Sequence, residues 1–126
     1  ENICSYSAYI RKILTAVPEL QFTPDSGNLY CIAREQEDIV SLVSSFRDRI
    51  RHVHLKDFAR EYVPGDLNET YTTLGLGAND NRAIVEIAKS VNYAGWYTLE
   101  NPVGADTLAD IARQTAVLKL WLTYVK

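Results

Sequence analysis

Apolar residues recur along this chain at helical spacing in four stretches and at strand spacing in three, and the two kinds alternate. Ile10, Ile13, Leu14 and Val17 fall at i, i+3, i+4 and i+7, which predicts a helix over 5–17. Ser5 or Ser7 offers a cap for it, and Pro18 a stop. A short strand over 20–23 follows, with Leu20 and Phe22 on one face and Gln21, Thr23 and Asp25 on the other. Asp25-Ser26-Gly27-Asn28 is turn chemistry. Ile39, Leu42, Val43 and Phe46 stripe a second helix over 36–48. A central strand over 49–56 turns Ile50, His52, His54 and Lys56 one way, and Arg51, Val53 and Leu55 the other. A long loop over 58–78 holds Pro64-Gly65 and Gly75-Leu76-Gly77; loops of that length are usually functional or mobile. Asp80 can cap a third helix carrying Ile84, Ile87, Ala88 and Val91. Gly95–Glu100 reads as a strand, with Trp96, Thr98 and Glu100 opposite Tyr97 and Leu99. A last helix runs from about 106 to the end, with Leu118, Trp121, Leu122 and Val125 as its late apolar stripe.

Strict alternation of helix and strand predicts a parallel sheet with helical crossovers. An open doubly wound sheet buries both faces, so its inner strands should be apolar on both. Here each strand has one apolar side and one polar side: Gln21/Thr23/Asp25, His52/His54/Lys56 and Thr98/Glu100. In a (β/α)8 barrel the apolar side packs on the helices and the polar side points inward. A full barrel takes about 250 residues, whereas this chain has 126. The expected fold is therefore α/β, the C-terminal part of a TIM barrel: strands six to eight with their helices, in one domain over 1–126, with Glu1 at the end of strand five. Its start, Glu-Asn-Ile-Cys, reads as the middle of something longer. Open strand edges imply that the remaining half completes the barrel, or that copies associate as a homo-oligomer.

At 47% hydrophobic and 23% charged, with a net charge of −3, the chain has no bulk basic field for nucleic acid or an anionic membrane. No apolar run approaches the roughly 20 residues of a membrane span. Cys4 and Cys31 form no close pair or metal motif, so free thiols in a reducing cytoplasm are expected.

Glu1, Asp25, His54 and Glu100 occupy equivalent places, each at the C-terminal end of a strand. Singly, Asp25 reads as a turn-former, Glu100 as a strand-end charge, His54 as a hydrogen-bonded interior histidine and Glu1 as a terminus. Together, three carboxylates and an imidazole at a barrel mouth make a hard divalent-metal site, for which Mn²⁺, Mg²⁺, Co²⁺ or Zn²⁺ would serve. Carboxylates so close repel one another unless a cation neutralises them. Lys56 points inward by alternation, either to neutralise substrate oxygens or to pair with Asp57.

These segments resemble the sugar phosphate isomerase/epimerase superfamily, the xylose isomerase-like TIM barrels of AP endonuclease family 2 type. The resemblance rests on Glu1-Asn2, Asp25-Ser26-Gly27-Asn28, His52-Val53-His54-Leu55-Lys56-Asp57, Gly75-Leu76-Gly77 and Tyr93-Ala94-Gly95-Trp96-Tyr97-Thr98-Leu99-Glu100, and covers nearly the whole chain. It implies a divalent metal on Glu1, Asp25, His54 and Glu100. In the ketose epimerase branch the two glutamates also shuttle protons, by way of a cis-enediolate, on a small sugar or polyol. Arg60 lies six residues after His54, where that branch carries a substrate-binding arginine; a solvated loop charge is the other reading. Asn28 stands where epimerases usually have a substrate-contacting histidine. Its amide can bond a hydroxyl but cannot titrate near neutrality. The same superfamily contains inosose dehydratases, hydroxypyruvate isomerases and three-zinc DNA-repair endonucleases. Two histidines in the chain argue against the last. The expected activity is metal-dependent isomerisation or epimerisation, with an inosose dehydratase-like lyase or a non-catalytic sugar-binding barrel as alternatives.

Overall fold

In the computed structural model, which describes residues 6–28, 39–59, 71–100 and 107–124, helices cover one face of a short parallel sheet and leave the other face polar. The elements are α1 (Ser7–Ala16), α2 (Ile39–Ser45), β1 (His52–Leu55), β2 (Asp57–Phe58), β3 (Tyr71–Thr72), α3 (Asn81–Ser90), β4 (Trp96–Leu99) and α4 (Thr107–Tyr124). β1 pairs in parallel with β4, from His52 opposite Trp96 to Leu55 opposite Leu99. On its other edge β1 receives the 22–25 segment through parallel bridges, Phe22 to Ile50 and Asp25 to His54. The three segments thus lie side by side in chain order, as consecutive strands of a barrel do.

The alternation predicted for the central strand is realised over His52–Leu55, whereas Ile50, expected on the polar face, is buried in the apolar core cluster. Val53 and Leu55 are fully buried, packed in one cluster with Leu42 and Val43 of α2 and Ile84, Val85 and Ala88 of α3. Fully burying side chains of this size is worth about 1.5–3 kcal/mol each, so this layer fixes the strand's rotation. His52, His54, Thr98 and Glu100 are half-buried on the opposite face.

Several local expectations change. Tyr6, not a serine, is the N-cap of α1 and makes no side-chain cap bond; Ser7 is already helical, and Ser5 lies outside the described residues. Leu20 is exposed, so Phe22 alone carries the apolar face of the first strand, which is reduced to two bridges. α2 stops at Ser45, and a 3₁₀ turn, Arg47–Arg49, occupies the expected start of the central strand. Arg49, in that turn, ties it to α1. Its guanidinium donates to Leu14 O at 2.6 and 2.8 Å and to Pro18 O at 3.0 Å, satisfying carbonyls at the end of α1. Asp80 is the N-cap of α3 by position, without a side-chain cap bond. In α4, Leu118 is buried and Trp121 and Leu122 pack on the core as predicted, while Val125 lies outside the described residues. The inward stripe of α4 begins with two polar residues the apolar pattern missed, Asp110 and Gln114, both buried.

The stems of the long 58–78 loop are structured. β2 and β3 pair antiparallel, Asp57 with Thr72 and Phe58 with Tyr71. The Phe58 and Tyr71 rings stack with centroids 4.7 Å apart. Thr73 Oγ1 donates to Asp110 Oδ1 at 3.0 Å, tying the returning stem to α4. Gly75 adopts φ 88°, where a side chain is strained, and a Cβ there would lie 3.1 Å from Trp121 Cζ2.

Candidate metal and substrate site

Asp25 enters the site through its turn. Its Oδ1 accepts the backbone N–H of Gly27 at 3.0 Å and of Asn28 at 2.9 Å, capping the helical turn at 26–28. Oδ2 is left facing the sheet. Turn-former and site residue are therefore one role each for the two oxygens of the same carboxylate. His54 stands beside it because its backbone N–H donates to Pro24 O at 3.0 Å, holding the bridge between the two strands. Glu100 follows β4, with its backbone N–H donating to Leu55 O at 3.0 Å.

These three residues meet. One ligand atom each from Asp25, His54 and Glu100 can be chosen so that all lie within 4.8 Å of one another. His54 Nδ1 is paired directly with Glu100 Oε1 and lies 3.8 Å from Asp25 Oδ2. Two ligands of one hard cation are separated by at most twice the metal–oxygen distance, about 4–5 Å. Two carboxylates and an imidazole at this spacing fit a single divalent ion.

Lys56 completes the group. Its ammonium lies 2.6 Å from Glu100 Oε2 and 3.2 Å from Asp25 Oδ2, and donates to Asn28 Oδ1 at 3.2 Å. Of the two sequence expectations for Lys56, pairing with Asp57 gives way to this bridge. Asp57 instead turns to the loop: Oδ2 accepts the N–H of Gly75 at 2.8 Å and Gly77 at 3.1 Å, and Oδ1 those of Asn79 and Phe58 at 3.1 Å. Gly27 is needed where the lysine passes, because a Cβ would collide with Lys56 Cγ and Cδ.

Charge follows geometry. Burial pushes Glu100 up, but the hydrogen bond and charge of Lys56, with His54, outweigh it and hold the carboxyl below its usual range. Burial pulls Lys56 down, yet Glu100 and Asp25 together hold it above its usual value. Burial raises Asp57, against the four backbone donors around it.

A buried polar layer that sequence reasoning missed supports the site from below. Ser26 Oγ lies 2.6 Å from Asn81 Oδ1 and accepts the Lys56 N–H at 3.2 Å. The Lys56 carbonyl accepts Asn81 Nδ2 at 3.0 Å and Asn79 Nδ2 at 3.1 Å. Its sequence signal was the Asn79-Asp80-Asn81 run at a helix start beside Gly75-x-Gly77, two small residues that let backbone donors converge. His52 does not join the three-residue cluster; its Nε2 lies 2.6 Å from Thr98 Oγ1. Glu1 and Arg60 lie outside the described residues. A depression of about 370 Å³ at the opposite, amino end of β1 and β4, lined by Arg47, Asp48, Arg51 and Tyr93, lacks this acid–imidazole grouping.

Among the described residues, no helix is long and apolar enough to cross a membrane. Residues 2–121 match the xylose isomerase-like TIM barrel family. The chain is 30% identical over 87 residues to an inosose dehydratase of Histophilus somni, covering 60% of this chain and 29% of that protein. It is 26% identical over 106 residues to an inosose dehydratase of Klebsiella pneumoniae, covering 75% of this chain and 36% of that one. It thus spans about a third of the length of these curated relatives. In fold it resembles a xylose isomerase-like TIM barrel protein from Mycobacterium smegmatis, solved in complex with magnesium, with TM-score 0.62 and 18% identity over 94% of this chain and 39% of that one.

Proposed function

Because this chain belongs to the xylose isomerase-like TIM barrel family, we propose that it carries the metal- and substrate-binding part of an isomerase or epimerase acting on a small sugar or polyol. The observation that carries this is the meeting of Asp25, His54 and Glu100 at the carboxyl ends of adjacent parallel segments. The magnesium in the solved M. smegmatis relative supports a hard divalent ion.

When bound, a divalent ion would supply a Lewis acid for a substrate carbonyl oxygen. Glu100, kept ionised by Lys56, takes the proton beside that carbonyl. Glu1 would act from the other side of the site, which epimerisation requires. Lys56 offsets charge developing on substrate oxygens. Asn28 spends Oδ1 on Lys56 and keeps its amide N–H for a hydroxyl. Arg60 serves as a further substrate contact.

A second reading is favoured by the curated relatives, which are inosose dehydratases. Dehydration begins with the same proton removal next to a carbonyl and differs in the loss of a hydroxyl afterwards. Metal analysis of the protein beside a Glu100→Gln variant tests the site, with about one divalent ion expected per chain and weakened binding in the variant. Incubation with keto-sugars and with inososes then separates the chemistries, since epimerisation keeps the mass of the substrate and dehydration lowers it by one water. Metal binding with no turnover of either class would point to a sugar-binding barrel without catalysis. Absence of metal, even after adding Mn²⁺ or Zn²⁺, would sink the site.

A further inference from the structure

Asp25 has one oxygen to give an ion. Oδ1 is committed to two backbone donors, Gly27 and Asn28, so Oδ2 is the atom that faces the site. Lys56 holds that same atom, at 3.2 Å. It also holds Glu100 Oε2, at 2.6 Å, while His54 holds the other Glu100 oxygen. One ammonium therefore bridges two carboxylates from different strands. It is nearly buried, with 8% of the side chain exposed, and its stem runs through the space that Gly27 leaves open. A divalent ion drawn to Asp25 Oδ2 and Glu100 meets this ammonium at close range, where like charges repel. The ammonium has a third partner, on the solvent side of the bridge. Asn28, which is exposed, already accepts one of its protons at 3.2 Å.

We propose that Lys56 is the site's built-in counter-cation: it holds Asp25 and Glu100 together before an ion binds, and yields Asp25 Oδ2 to the ion by swinging toward Asn28 and the mouth of the site. This deepens the metal-site reading above and rests on it. Lys56 then has two stations. In the first it prevents the acids from repelling one another apart; in the second it is presented to the oxygens of a bound ligand. The lysine's charge opposes ion binding, so its removal strengthens that binding.

Calorimetric titration of Mn²⁺ into the protein and into Lys56→Gln and Lys56→Arg variants tests this. Lys56→Gln is expected to bind Mn²⁺ about tenfold or more tightly than the unaltered protein, while Lys56→Arg, which keeps the charge, gains nothing. Tight binding by the unaltered protein with equal or weaker binding by Lys56→Gln would overturn the counter-cation role and leave the metal site standing. No Mn²⁺ binding by any of the three would overturn both. Should Lys56→Gln fail to fold by circular dichroism, the unaltered protein labelled with ¹⁵N-lysine decides. The Lys56 ammonium protons, slowed by two carboxylate partners, should exchange faster once Mg²⁺ saturates the site. Unchanged exchange at saturation would overturn the proposal.

Discussion

Ser26 Oγ lies 2.6 Å from Asn81 Oδ1, joining the turn that carries Asp25 to the first residue of α3. Both side chains are buried, at 0% and 1% exposure, so neither can fall back on water. The serine has one proton for two buried acceptors, Asn81 Oδ1 and the Lys56 carbonyl, which lies 3.0 Å away. Asn81 in turn donates to the Lys56 carbonyl at 3.0 Å. An Asn81→Ala change is expected to cost about 1–3 kcal/mol, because buried polar groups lose partners. Asn81→Asp should cost more, since it buries a charge and removes a donor. Urea unfolding measures both. A loss below about 0.5 kcal/mol in either would mean that this layer does not hold the site.

Asp57 organises the returning stem of the long loop through its four backbone acceptor contacts, from Phe58, Gly75, Gly77 and Asn79. Asparagine has one oxygen and one amide group. With its oxygen toward Phe58 and Asn79, its amide would face the N–H groups of Gly75 and Gly77, donor against donor. Asp57→Asn is expected to cost about 2–3 kcal/mol. Hydrogen exchange should quicken first at Gly75, Gly77 and Asn79. Unchanged protection there would show that the loop is held by other contacts, such as Thr73 with Asp110.

What was legible in the sequence was periodic. Val53 and Leu55 against His52 and His54 announced the strand's two faces, and the helical stripes announced the core. The meeting of Asp25, His54 and Glu100 was legible because strand ends in a parallel sheet fall at one edge. The buried polar layer was not. Ser26, Asn81 and Asp110 carry no period, and their burial depends on partners far away in the chain. Lys56 was placed on the correct face by alternation, but its nearest acid in sequence, Asp57, competed with two acids brought close only by the fold. Leu20 shows the converse: an apolar residue in strand register lies exposed at the short first strand.

Gly27 allows the lysine stem to cross under the Asp25 turn. A Cβ there would run into Lys56 Cγ and Cδ and lie 2.8 Å from Phe58 Cε2. Phe58 is buried, at 1% exposure, so the lysine is the side chain that must give. Gly27→Ala is expected to cost about 1–3 kcal/mol by overpacking. It should also loosen the bridge to Asp25 and Glu100 and so change Mn²⁺ affinity as Lys56→Gln does, in the same direction. Gly27→Ala with stability and Mn²⁺ affinity both unchanged would show that the stem has another route.

Alkaline pH offers a separate test, through two groups whose folded values are raised. Burial, with Tyr93 nearby, pushes the Tyr97 phenol from 10.0 up to about 12. Its hydroxyl is buried and has no hydrogen-bond partner among the described residues. The unfolded chain releases this proton near pH 10 while the folded chain keeps it. The contribution to stability is therefore complete below pH 10 and lost as pH rises through about 12. Lys56 has the same sign: its contribution is complete below its ordinary 10.5 and is lost as pH climbs through the raised folded value. Tyr97→Phe removes an unpaired buried hydroxyl, so at neutral pH it should stabilise the protein by up to about 1 kcal/mol. It should also make the alkaline loss shallower, and a titration followed at 295 nm should lose one late-ionising tyrosine. Destabilisation by Tyr97→Phe at neutral pH would mean that the hydroxyl has a partner after all. Loss of an early-ionising tyrosine instead would mean that burial does not govern this group.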